Sequence, residues 1–251
     1  MQYEGKTVCI SGSSRGIGSR LAVRFAKEGA NVVVNYVRNG DAARETAAEV
    51  EKNGGRVLVV RANMADPEKI TYLFERIGEV FGKLDVFIHS AASGRNRPAM
   101  DLDAKGWDWT LSINTRAFLI AVQQAVKLMP SAGGAVLALS SFGADHVFPY
   151  YASVGASKAA LESLVRYFAV ELADRRVNVN AISAGAVYTD AFKHFPEMEQ
   201  TMEKVKTKIP GGRMVTADDV ANLALFLCSK DAEMIRGQVI RVDGGVTLPL
   251  V

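Results

Sequence analysis

Two side chains capable of acid–base chemistry stand at a regular interval in the second half of the chain. Lys158 follows Tyr151 by seven positions, at the start of a segment, 153–172, whose apolar residues recur at helical spacing. Seven positions are about two helical turns, so the spacing predicts a phenol and an ammonium near one face. An ammonium there favours negative charge on a phenolic or substrate oxygen. The pair therefore predicts a site that stabilises an oxyanion, close to Ser140 and Ser141.

A glycine-rich segment connects the first apolar run to the first helical pattern. Its glycines allow a tight turn and a close approach of a ligand to the backbone, and the amides that begin the helix face a pyrophosphate. A turn that uses glycine only for its own geometry is the alternative, but the position between a strand and a helix favours a dinucleotide site. The predicted cofactor-binding residues of this segment are Gly12, Ser14, Arg15, Gly16, Ile17 and Gly18.

The end of the second strand distinguishes NAD from NADP. An acidic residue there bonds the ribose hydroxyls, whereas basic residues accommodate a 2′-phosphate. The segment 35–38 reads Asn-Tyr-Val-Arg and contains no acid. Arg38 and Arg15 together could clamp the phosphate, which favours NADPH as the cofactor. The alternative is that both arginines are solvated surface residues.

Short β-branched runs alternate with amphipathic segments. Strands are predicted at 7–10, 31–35, 56–61, 86–89, 135–139, 177–182 and 239–242. Helices are predicted at 17–27, 42–52, 67–81, 107–129, 153–172 and 217–227. The repeated βαβ order predicts the α/β class, with one doubly wound, Rossmann-type parallel sheet of six or seven strands and helices on both faces. We expect residues 1–251 to form a single domain with a substrate lid at 185–213.

Composition and charge exclude several classes of function. A net charge of +3 without a cluster of lysines and arginines argues against nucleic-acid binding. Cys9 and Cys228 lie far apart in apolar runs, and the three histidines lack metal-ligand spacing, so we expect neither a disulfide nor a bound metal. Residues 1–7 are polar and no apolar stretch is long enough to span a bilayer, which predicts a cytoplasmic protein without a membrane anchor.

Several of these features together resemble the short-chain dehydrogenase/reductase superfamily. The resemblance rests on the Gly-x3-Gly-x-Gly pattern, Asn114, the serine pair and Lys158, and it covers essentially all 251 residues. One position departs from the usual pattern, because Val154 replaces the family's tyrosine four residues before the lysine. Tyr151, seven residues before the lysine, resembles instead the divergent enoyl-acyl-carrier-protein reductases of bacterial fatty-acid synthesis.

Within that group the sequence is most similar to the NADPH-dependent type III enzymes. Arg15, Arg38 and the segments 91–94 and 107–110 carry this finer resemblance. It implies a homo-oligomer, such as a homotetramer, that reduces the trans-2 double bond of enoyl thioesters of acyl-carrier protein or coenzyme A. The alternatives are a 3-oxoacyl or other carbonyl reductase of the same superfamily, and a catalytically silent NADP-binding regulator.

The resemblance also implies roles for individual residues. Tyr151 would stabilise the enolate oxygen of the thioester after hydride transfer. Lys158 would bond the nicotinamide ribose hydroxyls, Thr189 the nicotinamide carboxamide, and Asn63 the adenine amine through its carbonyl oxygen. Structural or shaping roles are expected for Asn114, Ser140 and Ser141.

Other residues near the expected site are open to more than one interpretation. Tyr150, adjacent to the proposed catalytic tyrosine, competes with it, and only the resemblance selects between the two. Trp107 and Trp109 are expected to be packing residues rather than cofactor contacts. The pair His89-Ser90 replaces the family's asparagine pair at the end of the fourth strand. A group of lysines in or beside the lid either forms a solvated face or steers an acidic carrier protein. These lysines are Lys193, Lys204, Lys206 and Lys208.

Overall fold

The computed structural model describes residues 1–187 and 209–248. The strands are β1 (Thr7–Ser11), β2 (Asn31–Tyr36), β3 (Val57–Arg61), β4 (Val86–His89), β5 (Gly134–Ser141), β6 (Val177–Ala184) and β7 (Val239–Val242). They form one sheet in the order β3-β2-β1-β4-β5-β6-β7, and every neighbouring pair is parallel. The α/β class and the seven predicted strands are therefore confirmed.

Helices follow the strands as the βαβ pattern requires. In the part of the chain that the structure describes, they are α1 (Gly16–Lys27), α2 (Gly40–Lys52), α3 (Pro67–Phe81), α4 (Ala104–Leu111), α5 (Ala117–Leu128), α6 (Ala152–Glu171) and α7 (Ala217–Leu227). Side-chain caps begin α2, α3, α4 and α7 among the described helices. The Asp66 carboxylate accepts from the Glu68 amide before α3, and Thr216 forms a reciprocal capping box with Asp219 before α7.

The helices cover both faces of the sheet. Helices α1, α2 and α7 pack in one buried cluster with alternate residues of β1, among them Val8 and Ile10. The intervening residue Cys9 points to the opposite face, where α3, α5 and α6 pack around Phe118 and Leu161. This alternation is the period of two expected of a strand that is buried on both faces. The doubly wound arrangement is confirmed.

One predicted helix is divided in two. The segment 107–129 was expected to be continuous, but Ser112–Arg116 forms a π-turn between α4 and α5. The Ala117 amide donates to the Ser112 carbonyl, five residues back, instead of to the residue four back. The wider turn keeps Ile113 and Asn114 buried.

The strand order reverses at β1, since β2 and β3 lie on one side of it and β4 to β7 on the other. Connections that leave neighbouring strands in opposite directions open a crevice beyond the carboxyl ends of those strands. The segment that follows β6 is described as far as Val187 and again from Ile209, so most of the predicted lid lies outside the described residues. Val187 pairs in parallel with Val215, beside this crevice.

Candidate active site

The crevice at the strand reversal opens into a cavity of about 1200 Å³. Its wall includes residues that follow each of the strands from β1 to β6 and residues at the start of α6. A cavity of this size at the carboxyl edge of a doubly wound sheet suits a dinucleotide together with a small substrate. All the predicted cofactor residues that the structure describes line it, namely Gly12, Ser14, Arg15, Gly16, Ile17, Gly18, Arg38, Asn63 and Lys158.

Gly12, in the loop after β1, and Gly18, in the first turn of α1, leave no room for a side chain. Gly12 has a φ of +66°, and a Cβ there would lie 2.8 Å from the Cα of Ala91. A Cβ on Gly18 would lie 2.5 Å from the carbonyl oxygen of Gly12. The loop can therefore pack against the end of β4 and turn directly into α1, whose first amides lack acceptors within the helix. This cradle fits the pyrophosphate of a dinucleotide.

Asn35 holds this loop in place, a role that sequence reasoning did not assign to it. Its side-chain oxygen accepts from the Gly12 amide at 3.0 Å, and its side-chain nitrogen donates to the Ala62 carbonyl at 3.0 Å. The Asn35 carbonyl also accepts from the Ser13 amide at 2.9 Å. With only 1% of its surface exposed, Asn35 connects three strand ends. The only sequence signal was its place at the end of β2, where an acid was sought.

Two arginines line the cavity beside the start of α1 and the end of β2. Arg15 immediately precedes α1, and Arg38 follows β2 by two residues. Both are exposed and both line the cavity. Asn63 also lines it, and its side-chain oxygen accepts from the Ala65 amide at 3.0 Å. An amide oxygen has two lone pairs, so this turn still leaves one for an adenine amine.

Tyr151 lies at the opposite end of the cavity, directly before α6. Its hydroxyl donates to the Ser141 hydroxyl oxygen at 3.4 Å, and that oxygen also accepts from the Gly143 amide at 3.2 Å. The ring packs edge-on against Phe148 and lies on Gly143, where a Cβ would come within 2.5 Å of the ring. Burial raises the pKa of Tyr151, and the bond to Ser141 opposes that rise. The phenol is therefore in its neutral, donating form at physiological pH.

Tyr150 also lines the cavity, but its setting differs. Its φ is 64°, which is unusual for a residue with a side chain, and 46% of its surface is exposed. The structure therefore places both tyrosines at the cavity, and it connects only Tyr151 to the serine pair by a described hydrogen bond.

Lys158 is buried in α6, with 4% of its surface exposed. Its ammonium donates to the Leu139 carbonyl at 2.6 Å, close to the carboxyl end of β5. Burial lowers the pKa of Lys158 to about 8, and the Glu162 carboxylate one turn along the helix opposes the change. Ser140 donates to that same carboxylate. A buried cation therefore lies at the cavity wall, where it favours negative charge nearby.

Val154 occupies the usual tyrosine position. It is not among the described residues that line the cavity. Its side chain is 7% exposed and packs on Gly94, where a Cβ would lie 2.2 Å from Cγ2 of Val154. The place usually occupied by a phenol is therefore apolar and filled.

The π-turn anchors this end of α6. Asn114 accepts from the Ser93 amide at 2.9 Å and donates to the Ser93 carbonyl at 3.0 Å. Its side-chain nitrogen also donates to the Ser157 hydroxyl at 2.8 Å, and Thr115 donates to the Ser157 carbonyl at 2.8 Å. These bonds fix the residue that precedes Lys158, which agrees with the structural role expected of Asn114.

Some expected site residues are not tested by the structure, and the expected packing role of Trp109 is wrong. Thr189 and the lysines from Lys193 to Lys208 lie outside the described residues. Trp109 departs from its expected packing role, because 36% of its surface is exposed, it lines the cavity, and its indole nitrogen donates to the Ser93 hydroxyl at 3.1 Å. Trp107 is 38% exposed. A periodicity argument counts an indole as core and cannot show that it faces a cleft.

Two features are absent from residues 1–187 and 209–248. These residues contain no group of three or more histidine, cysteine or acidic side chains arranged to hold a metal ion. Within the same ranges, no helix combines the length and apolar character needed to cross a membrane.

The chain is similar to known reductases. A family model described as Enoyl-(Acyl carrier protein) reductase matches residues 12–247. The 1-cyclohexenylcarbonyl-CoA reductase of Streptomyces collinus is 41% identical over 241 residues, which are 95% of this chain and 86% of that protein.

Two solved structures have the same fold over nearly their whole length. 7α-Hydroxysteroid dehydrogenase complexed with NADH and 7-oxo glycochenodeoxycholic acid has a TM-score of 0.91 and 33% identity, covering 97% of this chain and 95% of that one. The angucycline C-6 ketoreductase LanV with bound NADP has a TM-score of 0.91 and 31% identity, covering 99% and 98%. The sheet, the glycine loop and these matches show that the chain belongs to the short-chain dehydrogenase/reductase superfamily, as an oxidoreductase with a site for a nicotinamide dinucleotide.

Proposed function

We propose that this oxidoreductase uses NADPH to reduce the carbon–carbon double bond of 2-enoyl thioesters. One observation carries the proposal: the phenol that lines the cavity is that of Tyr151, whereas the usual tyrosine position holds Val154, which packs on Gly94 away from the cavity. Reduction of a ketone and reduction of a conjugated double bond need an acid in different places.

A ketone that accepts hydride at its carbonyl carbon develops an alkoxide on that carbon, so its acid must lie beside the reacting atom. Val154 has no proton to donate. An enoyl thioester accepts hydride two carbons away from its carbonyl, and its negative charge collects on a more distant oxygen. A tyrosine set back by three residues, as Tyr151 is, suits that oxygen.

The residues of the cavity then have distinct roles. The bound nicotinamide supplies the hydride for the β-carbon of the thioester. When substrate is bound, Tyr151 turns its single hydroxyl proton from Ser141 to the thioester oxygen while the enolate lasts. Ser141 then orients the phenol by donating its own hydroxyl proton to the phenol oxygen. Lys158 bonds the nicotinamide ribose, and its positive charge favours the enolate. The α-carbon takes its proton from solvent.

The comparison with the Streptomyces collinus enzyme supports this choice. Its name specifies a coenzyme A thioester whose ring double bond is conjugated with the carbonyl group. The acyl carrier of the present enzyme is either coenzyme A or acyl-carrier protein, as the resemblance implies. Arg15 and Arg38 support NADPH, because two guanidinium groups at the adenosine end suit a 2′-phosphate better than free ribose hydroxyls.

A carbonyl reductase is the second candidate, since hydroxysteroid dehydrogenase and LanV are named for reactions at a carbonyl or hydroxyl carbon. The two functions separate in one assay. NADPH oxidation is measured with crotonyl-coenzyme A and with acetoacetyl-coenzyme A, which share chain length and carrier. We expect turnover of the crotonyl thioester and little or none of the acetoacetyl thioester. The reverse preference would overturn the proposal, and NADPH binding without turnover of either would favour a silent regulator.

A further inference from the structure

His89, the last residue of β4, is fully buried and has no part in the reaction described above. Its ring lies between two separate segments. Nδ1 is 3.1 Å from the Ser11 hydroxyl oxygen, at the end of β1, and Nε2 is 3.2 Å from the Ile113 carbonyl oxygen, in the π-turn. The rings of Phe87 and Phe118 flank it at centroid distances of 6.3 and 5.7 Å. A single imidazole therefore bridges the start of the glycine loop and the π-turn.

The hydrogen bonds around Ser11 determine which nitrogen of His89 carries the proton. The Ser11 oxygen accepts from the amides of Ser90 and Ala91, each at 3.1 Å. A hydroxyl oxygen has two lone pairs, so both are used, and its own proton must be donated. The partner described for that proton is Nδ1 of His89. Nδ1 is therefore an acceptor, and the proton of the neutral ring is on Nε2, where it is donated to Ile113.

The electrostatic surroundings also favour the neutral ring. Burial, followed by the nearby positive charge of Lys158, lowers the pKa of His89 to about 3. The imidazole therefore does not titrate at physiological pH, and its role is that of a fixed donor and acceptor.

The Ile113 carbonyl is available at this place because of the π-turn. In a regular α-helix the Ala117 amide would donate to Ile113, but here it donates to Ser112. The residues that follow Ile113 hold α6: Asn114 and Thr115 both bond to Ser157, which precedes Lys158.

We propose that His89 is a positioning residue whose Nε2–H form fixes the π-turn relative to the glycine loop, and so keeps Lys158 in place for the cofactor ribose. A continuous series of contacts connects the two regions. Gly12 packs against Ala91, the Ala91 amide donates to Ser11, and Ser11 bonds to the imidazole. The imidazole bonds to the π-turn, which in turn bonds to Ser157. The inference rests on the proposed role of Lys158, but not on the identity of the substrate.

The tautomer is tested on the wild-type protein. The chain has three histidines, so uniform ¹⁵N-histidine labelling gives few signals, and the signals missing from a His89→Gln variant belong to His89. We expect an unprotonated Nδ1 shift and a protonated Nε2 shift that stay constant between about pH 5 and pH 9. A proton on Nδ1, or titration of the ring within this range, would overturn the assignment.

Two substitutions separate the two hydrogen bonds. The amide of His89→Gln reaches the place of Nε2 and can donate to Ile113, whereas the amide of His89→Asn reaches only the place of Nδ1. We expect His89→Gln to retain the wild-type dissociation constant for NADPH within a factor of about three, and His89→Asn to weaken binding about tenfold, as for one lost hydrogen bond with its unpaired acceptor.

Binding is read from NADPH fluorescence, so the experiment needs no substrate and its failure is distinct from failure of the enoyl assay. The melting temperatures of both variants are the control for a general loss of structure. If NADPH binding follows melting temperature and not the retained donor, or if both variants bind equally, His89 has no positioning role. If neither variant folds, the tautomer measured on the wild-type protein decides.

Discussion

Replacing Lys158 by methionine is expected to make the protein more stable while it removes cofactor-dependent activity. The side chain is 4% exposed, and burial lowers its pKa from 10.5 to about 8. That difference corresponds to about 3 kcal/mol against the charged form in the folded protein. Methionine has a similar length and no charge, so it avoids this unfavourable term.

The lost hydrogen bond acts in the opposite direction. The ammonium donates to the Leu139 carbonyl at 2.6 Å, and a hydrogen bond from a charged donor contributes about 1.5 to 3 kcal/mol net. Desolvation is the larger effect, so we expect Lys158→Met to be about 1 kcal/mol more stable than wild type at pH 7. A stabilised but inactive variant is the usual outcome when a functional group is held in an unfavourable environment.

The sign of the pH dependence follows from the two pKa values. The unfolded chain retains the lysine proton up to about pH 10.5, whereas the folded protein releases it near pH 8. Between these values the unfolded state binds more protons, so wild-type stability rises with pH relative to Lys158→Met. The gap of about 1 kcal/mol at pH 7 should therefore close by about pH 9.

Urea denaturation of both proteins at the two pH values measures this difference. Lys52→Met, at an exposed position of α2, is the matched control for loss of one positive charge. The reasoning is refuted if Lys158→Met is less stable than wild type at pH 7, or if the gap widens as the pH rises.

Three further predictions concern the two arginines, the two adjacent tyrosines, and the contact between Gly94 and Val154. Arg15→Ala and Arg38→Ala should each raise the Michaelis constant for NADPH by about tenfold or more, because each change removes a charged hydrogen bond of about 1.5 to 3 kcal/mol. The Michaelis constant for NADH should stay nearly unchanged. Equal use of both cofactors by the wild-type protein would contradict this prediction. Tyr151→Phe should lower kcat by about a hundredfold or more and leave NADPH affinity intact, whereas Tyr150→Phe should stay near wild type in the same steady-state assay. Gly94→Ala should destabilise the protein by about 1 to 3 kcal/mol in urea denaturation, because its Cβ would lie 2.2 Å from Cγ2 of Val154, and Val154→Ala in the same chain should recover most of the loss.

Hydrophobic periodicity was sufficient for the architecture, because buried parallel strands are short β-branched runs and their helices are amphipathic. The glycine loop was also predictable, since few structures other than an anion site need three glycines between a strand and a helix. The π-turn was not. Inserting one residue into a helical turn shifts the register locally, and the apolar pattern of 107–129 remains compatible with one continuous helix.

The contacts of His89 and Asn35 were beyond sequence reasoning for a different reason. His89 reaches Ser11 across 78 positions and Ile113 across 24, and Asn35 reaches Gly12 across 23. Such bonds depend on which strand lies beside which. The sequence pattern predicts a parallel sheet without specifying the register of each pair, so a polar residue at a strand end has no identifiable partner until the sheet is assembled.

The displacement of the phenol from position 154 to position 151 involves more than one side chain. Gly94 leaves space for Val154, and Gly143 leaves space for the ring of Tyr151, since a Cβ at either place would overlap the neighbouring side chain. Tyr150 adopts a φ of 64° directly before the residue that turns into the cavity. Each of these features accommodates the new position without taking part in chemistry. A tyrosine restored at 154 alone would direct its larger side chain at Gly94, where valine already leaves no room for a Cβ, and the Tyr151 hydroxyl would still lie beside Ser141. We therefore expect that this change would not by itself move the proposed proton donor back to position 154.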